Sequence, residues 1–243
     1  MKDIYFFIGT KAQAIKCLPL INKSLETEDF NVFIVDSGQH VEIVEDILKK
    51  TNNPVQKISV FKNTKNISTF KESLKWLIYF IFNFLFKKSK QVSNTNSGLC
   101  IVHGDTLSTL LGLLWGKKNK LDILHLESGL TSYKLFQPFP EEIIRRIVSK
   151  FSDILICFDN EAFGNLNTRF KDSKKEIKRV SENTIIETID LDNNQILNNI
   201  ATVTLHRTEN IISKKKLNKF VEFLDNVSKT HTINWYLHEP SRN

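Results

Sequence analysis

Cysteine is scarce in this 243-residue chain, and no two cysteines form a Cys-x-x-Cys pair. Cys17, Cys100 and Cys157 stand singly, after or within apolar runs. That pattern is typical of buried, reduced thiols in a cytoplasmic protein. The sequence also lacks a cluster of His, Cys, Asp and Glu at metal-ligand spacing, so we expect neither a metal ion nor a redox cofactor.

Two kinds of apolar segment are also missing. No charged stretch followed by an apolar one opens the chain, since Met1-Lys2-Asp3 leads straight into a strand-like run. The aromatic run at residues 76–86 has eleven residues, about half of the roughly 20 that a bilayer span requires. We therefore expect no secretory leader and no membrane span.

The net charge of +7 is unevenly distributed. Residues 62–90 hold seven lysines and one acid, Glu72, which accounts for +6 of the total. Nucleic-acid binding requires basic residues interleaved with stacking aromatics on one surface, and nothing outside this segment offers that. We expect no nucleic-acid partner.

Within the basic segment, polar residues recur at spacings of three and four, so on a helix they form one narrow stripe. They are Glu72, Lys75, Tyr79, Asn83 and Lys87. Two interpretations stay open. The helix packs on a sheet or at a homodimer interface, which we expect, or residues 72–90 make weak peripheral contact with an anionic membrane.

Short apolar runs alternate with helical patterns along the first two thirds of the chain. Strands are expected at residues 4–8, 31–35, 55–60, 99–102, 123–126 and 154–158. Strands that are apolar throughout are covered on both faces, which predicts an α/β fold with a doubly wound parallel sheet. Such sheets bind ligands at the carboxyl ends of their strands.

A domain boundary is expected near Arg169, where the pattern turns polar. The amino-terminal domain would comprise residues 1–169 and the second domain residues 170–243, with strands at 201–205 and 234–237. A second doubly wound domain needs roughly 100 to 150 residues. Only 74 residues follow the boundary, so we expect the chain to end inside its second domain.

Polar motifs follow the expected strands and supply three carboxylates and an imidazole. They are Gly104-Asp105-Thr106, His125-Leu126-Glu127-Ser128-Gly129, Pro138-Phe139-Pro140-Glu141-Glu142 with Arg145, and Thr204-Leu205-His206-Arg207. These groups suit a reaction that removes one proton and returns another.

Plainer interpretations exist for most of these residues. Asp105 could cap a helix that starts at Leu107, Glu141 could be an ordinary first-turn acid, and His206 could lie on the surface. Glu127 is harder to dismiss, because a carboxylate directly after an apolar run is costly without a partner.

The order of these motifs resembles the UDP-N-acetylglucosamine 2-epimerase family, from about Ile4 to the last residues. The resemblance includes Gly9-Thr10-Lys11-Ala12-Gln13-Ala14-Ile15-Lys16 and Ser37-Gly38-Gln39-His40. It implies two Rossmann-like domains facing each other across a cleft, as in glycosyltransferases of the B type, the second incomplete here. It also implies that UDP is eliminated from a UDP-2-acetamido sugar and added back to give the C2 epimer, in cell-surface polysaccharide precursor synthesis.

The resemblance assigns Asp105, Glu127 and Glu141 to the catalytic acids and His206 to the departing phosphate. Which carboxylate removes the proton and which returns it stays open. The substrate contacts that it implies are Lys11, Lys16, Gln39, His40 and Arg145. Arg145, four residues after Glu141, is expected on the same helix face, where it can hold that carboxylate or a phosphate oxygen.

The chain departs from the family pattern at several positions. The family usually has Gly-Thr-Arg-Pro-Glu at residues 9–13, an arginine at Thr131 and an asparagine at Ile144. These changes point to a different sugar or a relaxed function. A hydrolysing variant that releases UDP and free sugar, a glycosyltransferase and a non-catalytic remnant or interaction protein remain alternatives. The expected stop inside the second domain predicts that the 243 residues alone lack turnover and bind UDP weakly.

Overall fold

The computed structural model describes residues 1–39, 43–60, 98–181, 199–205 and 213–236, with residues 75, 76, 78, 79 and 82. Two compact units are distinguished, Met1–Ile189 and Asp190–Asn243.

Seven parallel strands form the sheet of the first unit, in the order β3-β2-β1-β4-β5-β6-β7. They are β1 (Lys2–Ile8), β2 (Phe30–Asp36), β3 (Gln56–Ser59), β4 (Gly98–His103), β5 (Asp122–Leu126), β6 (Ile154–Cys157) and β7 (Glu176–Arg179). The expected parallel α/β sheet is therefore confirmed. Six of its strands end within about two residues of the predicted positions, and β7 was not predicted.

Five helices of the first unit are described from end to end: α1 (Lys11–Leu25), α2 (Ile43–Leu48), α3 (Leu107–Lys118), α4 (Glu141–Phe151) and α5 (Asn160–Phe170). Side-chain caps start three of them. Thr10 caps α1 and Thr106 caps α3, each in a reciprocal capping box, and Asp159 caps α5. These caps satisfy backbone N–H groups that the first turn of a helix leaves unpaired.

Residues of β1 alternate between two apolar layers, as consecutive residues of a strand must. Tyr5 and Phe7 face the layer that holds residues of α3 and α4, and Trp115 contacts the Tyr5 ring edge-on at 5.5 Å between centroids. Phe6 and Ile8 face the layer formed by α1 and α2. The sheet is thus covered on both sides.

The strand order reverses beside β1. From β1 the chain proceeds to β2 and β3 on one side, and β4 returns to pair with β1 on the other. At such a reversal the loops after neighbouring strands diverge and leave a crevice at the carboxyl ends. The loops after β1 and β4 meet there.

All three cysteines are buried and free, as predicted. Burial raises the pKa of the Cys17 thiol to about 12, so this thiol is protonated at neutral pH. Burial also raises the pKa of Cys100 and Cys157.

β7 pairs in parallel with β6, so the larger sheet runs past the boundary that we expected near Arg169. The second unit contains β8 (Ile200–Thr204), α6 (Lys214–Ser228) and β9 (Thr232–Tyr236). The two strands are parallel, and Phe220 of α6 meets the Trp235 ring edge-on at 5.9 Å.

Five residues of the aromatic segment are described, and they are helical. Trp76 is buried with Tyr5 and Trp115 in the sheet's apolar layer, whereas Ile78 and Phe82 are exposed. Burial of Trp76 fits a helix packed on the sheet. A homodimer interface and membrane contact stay predictions. Within the described part of the chain, no helix is both long and apolar enough to cross a membrane.

Candidate active site

Close packing at Gly9 brings together the loops after β1 and β2 and the start of α3. A Cβ atom at Gly9 would lie 2.0 Å from the Ser108 hydroxyl oxygen and 2.4 Å from that of Ser37. Only glycine permits this approach. The Ser108 hydroxyl also donates to the Gln39 side-chain oxygen, which places Gln39 at this edge of the sheet.

Gln13 joins the loop after β1 to the loop after β4. Its Oε1 accepts the two backbone N–H groups of the preceding turn, at 3.0 and 3.2 Å. Its Nε2 lies 2.9 Å from the carbonyl oxygen of His103 and 3.0 Å from the hydroxyls of Thr106 and Thr109. The amide is only 2% exposed, so these contacts fix the two loops relative to each other.

Glu127 follows β5 and pairs with Lys16 of α1. The Lys16 Nζ donates to both carboxylate oxygens, at 2.8 and 2.7 Å, and each side chain is 22% exposed. The Glu127 backbone has φ of 59°, a left-handed conformation that costs a non-glycine residue about 1 kcal/mol or more. Such strain beside an ion pair is typical of functional sites.

His103, the last residue of β4, lies next to the Glu127 carboxylate. Its Nδ1 is 3.5 Å from Glu127 Oε2, and the residue is almost fully buried. Burial, reinforced by the positive charge of Lys16, lowers the pKa of His103 to about 3. The ring is therefore neutral at neutral pH and adds no second positive charge beside Lys16.

His125 of β5 holds the turn that presents Asp105. Its Nε2 lies 2.8 Å from the Gly104 carbonyl oxygen, and its Nδ1 lies 3.3 Å from the Ser149 hydroxyl. Burial lowers the pKa of His125 to about 4, although the bond to Gly104 opposes this. A neutral ring donates from Nε2 to the carbonyl and accepts from the hydroxyl at Nδ1. Gly104 itself has φ of 70°, which favours glycine.

Asp105 pairs with Arg145 of α4, at 2.5 Å between Oδ2 and NH2. Thr106, not Asp105, caps α3, so the capping interpretation of Asp105 is wrong. Helical spacing predicts that Arg145 faces Glu141. The second guanidinium nitrogen of Arg145 lies 3.4 Å from Glu142.

Glu142 is a fully buried carboxylate that we did not predict as a site residue. It accepts from the Thr131 hydroxyl at 2.8 Å, the Ser132 N–H at 3.1 Å and Arg146 Nε at 2.9 Å. Burial alone would raise the pKa of Glu142, but the bonds from Ser132, Arg146 and Thr131 outweigh it and hold the pKa below its ordinary value. Arg145 and Arg146, three and four residues after Glu142, were the sequence signal that could have identified it, because residues at these spacings are neighbours on a helix.

Glu141 begins α4, and its environment differs from that of Glu142. One carboxylate oxygen, Oε2, is buried without a hydrogen-bond partner among the described residues. Buried polar atoms are usually paired, so an unpaired one suggests a place for a ligand group.

The predicted site residues that remain are Lys11, His40 and His206. Lys11 is exposed at the start of α1. His40 and His206 lie outside the described residues. No group of three or more His, Cys, Asp and Glu side chains in the described ranges could hold a metal ion.

Two carboxylates, each paired with a cation, thus lie at the carboxyl ends of β4 and β5. Such carboxylates can accept a proton, and the cations beside them can stabilise negative charge that develops on a ligand. A Cβ at Gly104 would lie 3.7 Å from Glu127 Oε2, which puts that carboxylate beside the turn that presents Asp105.

Comparison with known proteins shows which family the chain resembles. A family model described as UDP-N-acetylglucosamine 2-epimerase matches residues 23–242. The UDP-N-acetylglucosamine 2-epimerase of Salmonella borreze is 26% identical over 231 residues, covering 86% of this chain and 58% of that protein. The corresponding protein of Methanocaldococcus jannaschii is 27% identical, covering 88% and 59%. The chain therefore spans little more than half the length of these relatives.

Solved structures agree in fold. The Neisseria meningitidis UDP-GlcNAc 2-epimerase bound to UDP-GlcNAc has a TM-score of 0.73 at 23% identity, covering 100% of this chain and 68% of that one. The S. aureus MnaA–UDP structure has a TM-score of 0.71 at 25% identity, covering 98% and 62%. These matches confirm the predicted α/β class of the glycosyltransferase-B type. Together with the match over residues 23–242, they bear out the resemblance: the chain belongs to the UDP-N-acetylglucosamine 2-epimerase family.

Proposed function

We propose that the protein interconverts a UDP-2-acetamido sugar and its C2 epimer by elimination and re-addition of UDP. The observation that carries this is the pair of cation-bound carboxylates, Glu127 with Lys16 and Asp105 with Arg145, at the carboxyl ends of adjacent strands. The match to the epimerase family supports the same reaction.

The reaction needs a base at a carbon that is hard to deprotonate. A carboxylate takes the proton from C2, the C1–C2 double bond forms, and the C1–O bond breaks so that UDP leaves with its electron pair. UDP then adds back to C1 of the 2-acetamidoglycal while a carboxylic acid returns a proton to the other face of C2. Protons, electrons and the leaving group all balance without a redox cofactor.

Asp105, Glu127 and Glu141 share the removal and return of the proton in this proposal. The unpaired Oε2 of Glu141 is available to a substrate group, whereas Glu127 and Asp105 are already held by cations. Holding both oxygens of Glu127 restricts the carboxylate to one orientation, which favours a fixed approach to the hydrogen on C2 of a bound sugar.

Lys16 and Arg145 would neutralise the negative charge that accumulates as UDP departs. His206 would do the same at the departing phosphate, with Lys11, Gln39 and His40 as further substrate contacts. The bound UDP-GlcNAc and UDP of the two solved relatives support a nucleotide-sugar substrate. A homodimer, a cytoplasmic location and a role in cell-surface polysaccharide precursors belong to the same proposal.

The proposal is tested by following UDP-GlcNAc with proton and phosphorus NMR. Because the chain spans about half the length of its relatives, the assay uses the protein extended to their length. We expect the UDP-linked C2 epimer to appear while total UDP-sugar stays constant. Accumulation of UDP with free sugar would identify the hydrolysing alternative, and unchanged UDP-GlcNAc would contradict a 2-epimerase acting on this substrate. The lack of turnover expected for the 243 residues alone stays a prediction.

A further inference from the structure

Residues 129–133 follow β5 in the chain and contact both α4 and α5. We call this segment the strap. On the α4 side the strap is held by Glu142, which accepts from the Thr131 hydroxyl at 2.8 Å and the Ser132 N–H at 3.1 Å. Both bonds end on a carboxylate that is 1% exposed, so they are charge-assisted and shielded from water.

On the α5 side different groups hold the strap. The Asn165 amide donates to the Gly129 carbonyl at 3.2 Å, and the Tyr133 hydroxyl lies 3.1 Å from Glu161 Oε1 and 3.2 Å from Asn165 Oδ1. A cavity of about 380 Å³ lies between the strap and the two helices. Since close packing beneath the strap is incomplete, its position depends on these two sets of polar contacts.

Glu142 connects the strap to Asp105 through Arg145. One guanidinium nitrogen of Arg145 lies 2.5 Å from Asp105, and another lies 3.4 Å from Glu142. The two carboxylates therefore share one cation unequally. The inequality has a physical cause: Thr131, Ser132 and Arg146 already satisfy Glu142, so it attracts Arg145 less strongly than Asp105 does.

We propose that Glu142 is a positioning residue: while the strap satisfies it, Glu142 leaves Arg145 on Asp105, so that contact depends on the strap. When the strap withdraws its two donors, Glu142 keeps only Arg146 as a close donor in a buried site and draws Arg145 toward itself. Arg145 then moves away from Asp105, and the charge balance and orientation of the Asp105 carboxylate change. The inference rests on the proposed function, which assigns Asp105 to proton transfer.

The test compares Thr131→Val with Tyr133→Phe in the 243-residue chain. Thr131→Val removes a strap donor to Glu142, whereas Tyr133→Phe removes a strap contact on α5 and leaves Glu142 untouched. The readout is the carboxyl ¹³C resonance of Asp105. We expect it to move in Thr131→Val, to stay in Tyr133→Phe, and to return in Thr131→Ser, which restores the hydroxyl.

An unmoved Asp105 resonance in Thr131→Val would overturn the proposal. An equal movement in Tyr133→Phe would do so as well, because it would reflect general loosening of the strap. This readout needs no turnover, so its failure is distinguishable from failure of the proposed function.

A kinetic readout separates positioning from a merely structural role. In the protein extended to the length of its relatives, Thr131→Val should lower kcat by about tenfold with KM little changed, because it misplaces a reacting group rather than a binding group. Unchanged kcat in Thr131→Val, despite a moved Asp105 resonance, would contradict the positioning role.

Discussion

Lys16 on α1 donates to both oxygens of Glu127, 111 residues further along the chain, at 2.8 and 2.7 Å. The pair joins the first helix of the sheet to the end of β5. Both side chains are 22% exposed, so solvent screens part of their attraction. The pair's contribution to folding is therefore small, and its main effect is to hold the Glu127 carboxylate.

Replacing Lys16 should separate activity from stability. We expect Lys16→Met to change the free energy of unfolding by about 1 kcal/mol or less, as for other solvent-accessible ion pairs. Turnover in the extended protein should fall at least about tenfold, because a cation near the developing charge is lost. Urea unfolding and NMR turnover measure the two effects. Lys23→Met, at an exposed pair with Glu26, is the control, and equal loss of activity in both variants would contradict the assignment.

The adjacent residues Glu141 and Glu142 should respond oppositely to the same substitution. Glu142→Gln removes a buried charge from its donors and should destabilise the protein by about 3 kcal/mol. Glu141→Gln removes charge from a carboxylate with an unpaired buried oxygen, so it should leave stability unchanged or raise it by about 1 kcal/mol. Urea unfolding at pH 7 measures both, and equal destabilisation would show that the two environments are alike.

The Glu142 contribution should also depend on pH. Its folded pKa is depressed, so the stabilisation is present above the unfolded value of about 4.3 and is lost as pH falls through the folded pKa. The difference in unfolding free energy between the parent protein and Glu142→Gln should therefore shrink below about pH 4. A difference that grows on acidification would contradict the charge-assisted bonds.

His103 and His125 should make the fold sensitive to mild acid. Their folded pKa values of about 3 and about 4 lie below the ordinary value of about 6.5, so the unfolded chain binds more protons as pH falls. Stability is thus full above about pH 6.5 and is lost below it, by about 1.4 kcal/mol per pH unit for each histidine.

Urea unfolding between pH 7.5 and about 4.5 measures this loss. His103→Gln should reduce the pH slope by one histidine's share. His231→Gln, at an exposed position of the second unit, is the matched control for loss of a histidine. Equal slopes in the parent protein and His103→Gln would mean that His103 is not held neutral by burial.

Replacing Gln13 with an apolar residue should lower the free energy of unfolding. Gln13→Leu leaves two backbone N–H groups of one loop without their partner and removes one of the donors to the His103 carbonyl of another, which should cost about 3 kcal/mol. Gln56→Leu on the exposed surface of β3 is the matched control. A loss below about 1 kcal/mol in Gln13→Leu, measured by urea unfolding, would show that water replaces these bonds.

The central sheet could be predicted because most of its strands are largely apolar, and several end at glycine turns. β1 and β4 are examples, buried on both faces. The edge formed by β7 could not, although the other edge strand, β3, was predicted. β7 reads Glu-Ile-Lys-Arg and is largely exposed, so its polar pattern resembles a loop.

The site shows the same division. The family motifs placed Lys16, Asp105, Glu127 and Arg145 together, and the structure pairs them. Gln13, His103 and Glu142 were missed as site residues because their roles arise from burial and from partners distant in sequence. Helical spacing offered Arg145 a contact with Glu141 or with a phosphate oxygen, but it could not predict the pairing with Asp105, which follows a different strand.

The most direct test of the proposed proton chemistry is hydrogen exchange at C2. The extended protein is incubated with UDP-GlcNAc in deuterated water, and deuterium at C2 is followed by proton NMR. We predict incorporation in the parent protein, a loss of at least about a hundredfold in Glu127→Gln, and no loss in Glu26→Gln at the exposed end of α1. Exchange in Glu127→Gln at the parent rate would contradict the account, because the carboxylate held by Lys16 would then take no part in moving the C2 proton.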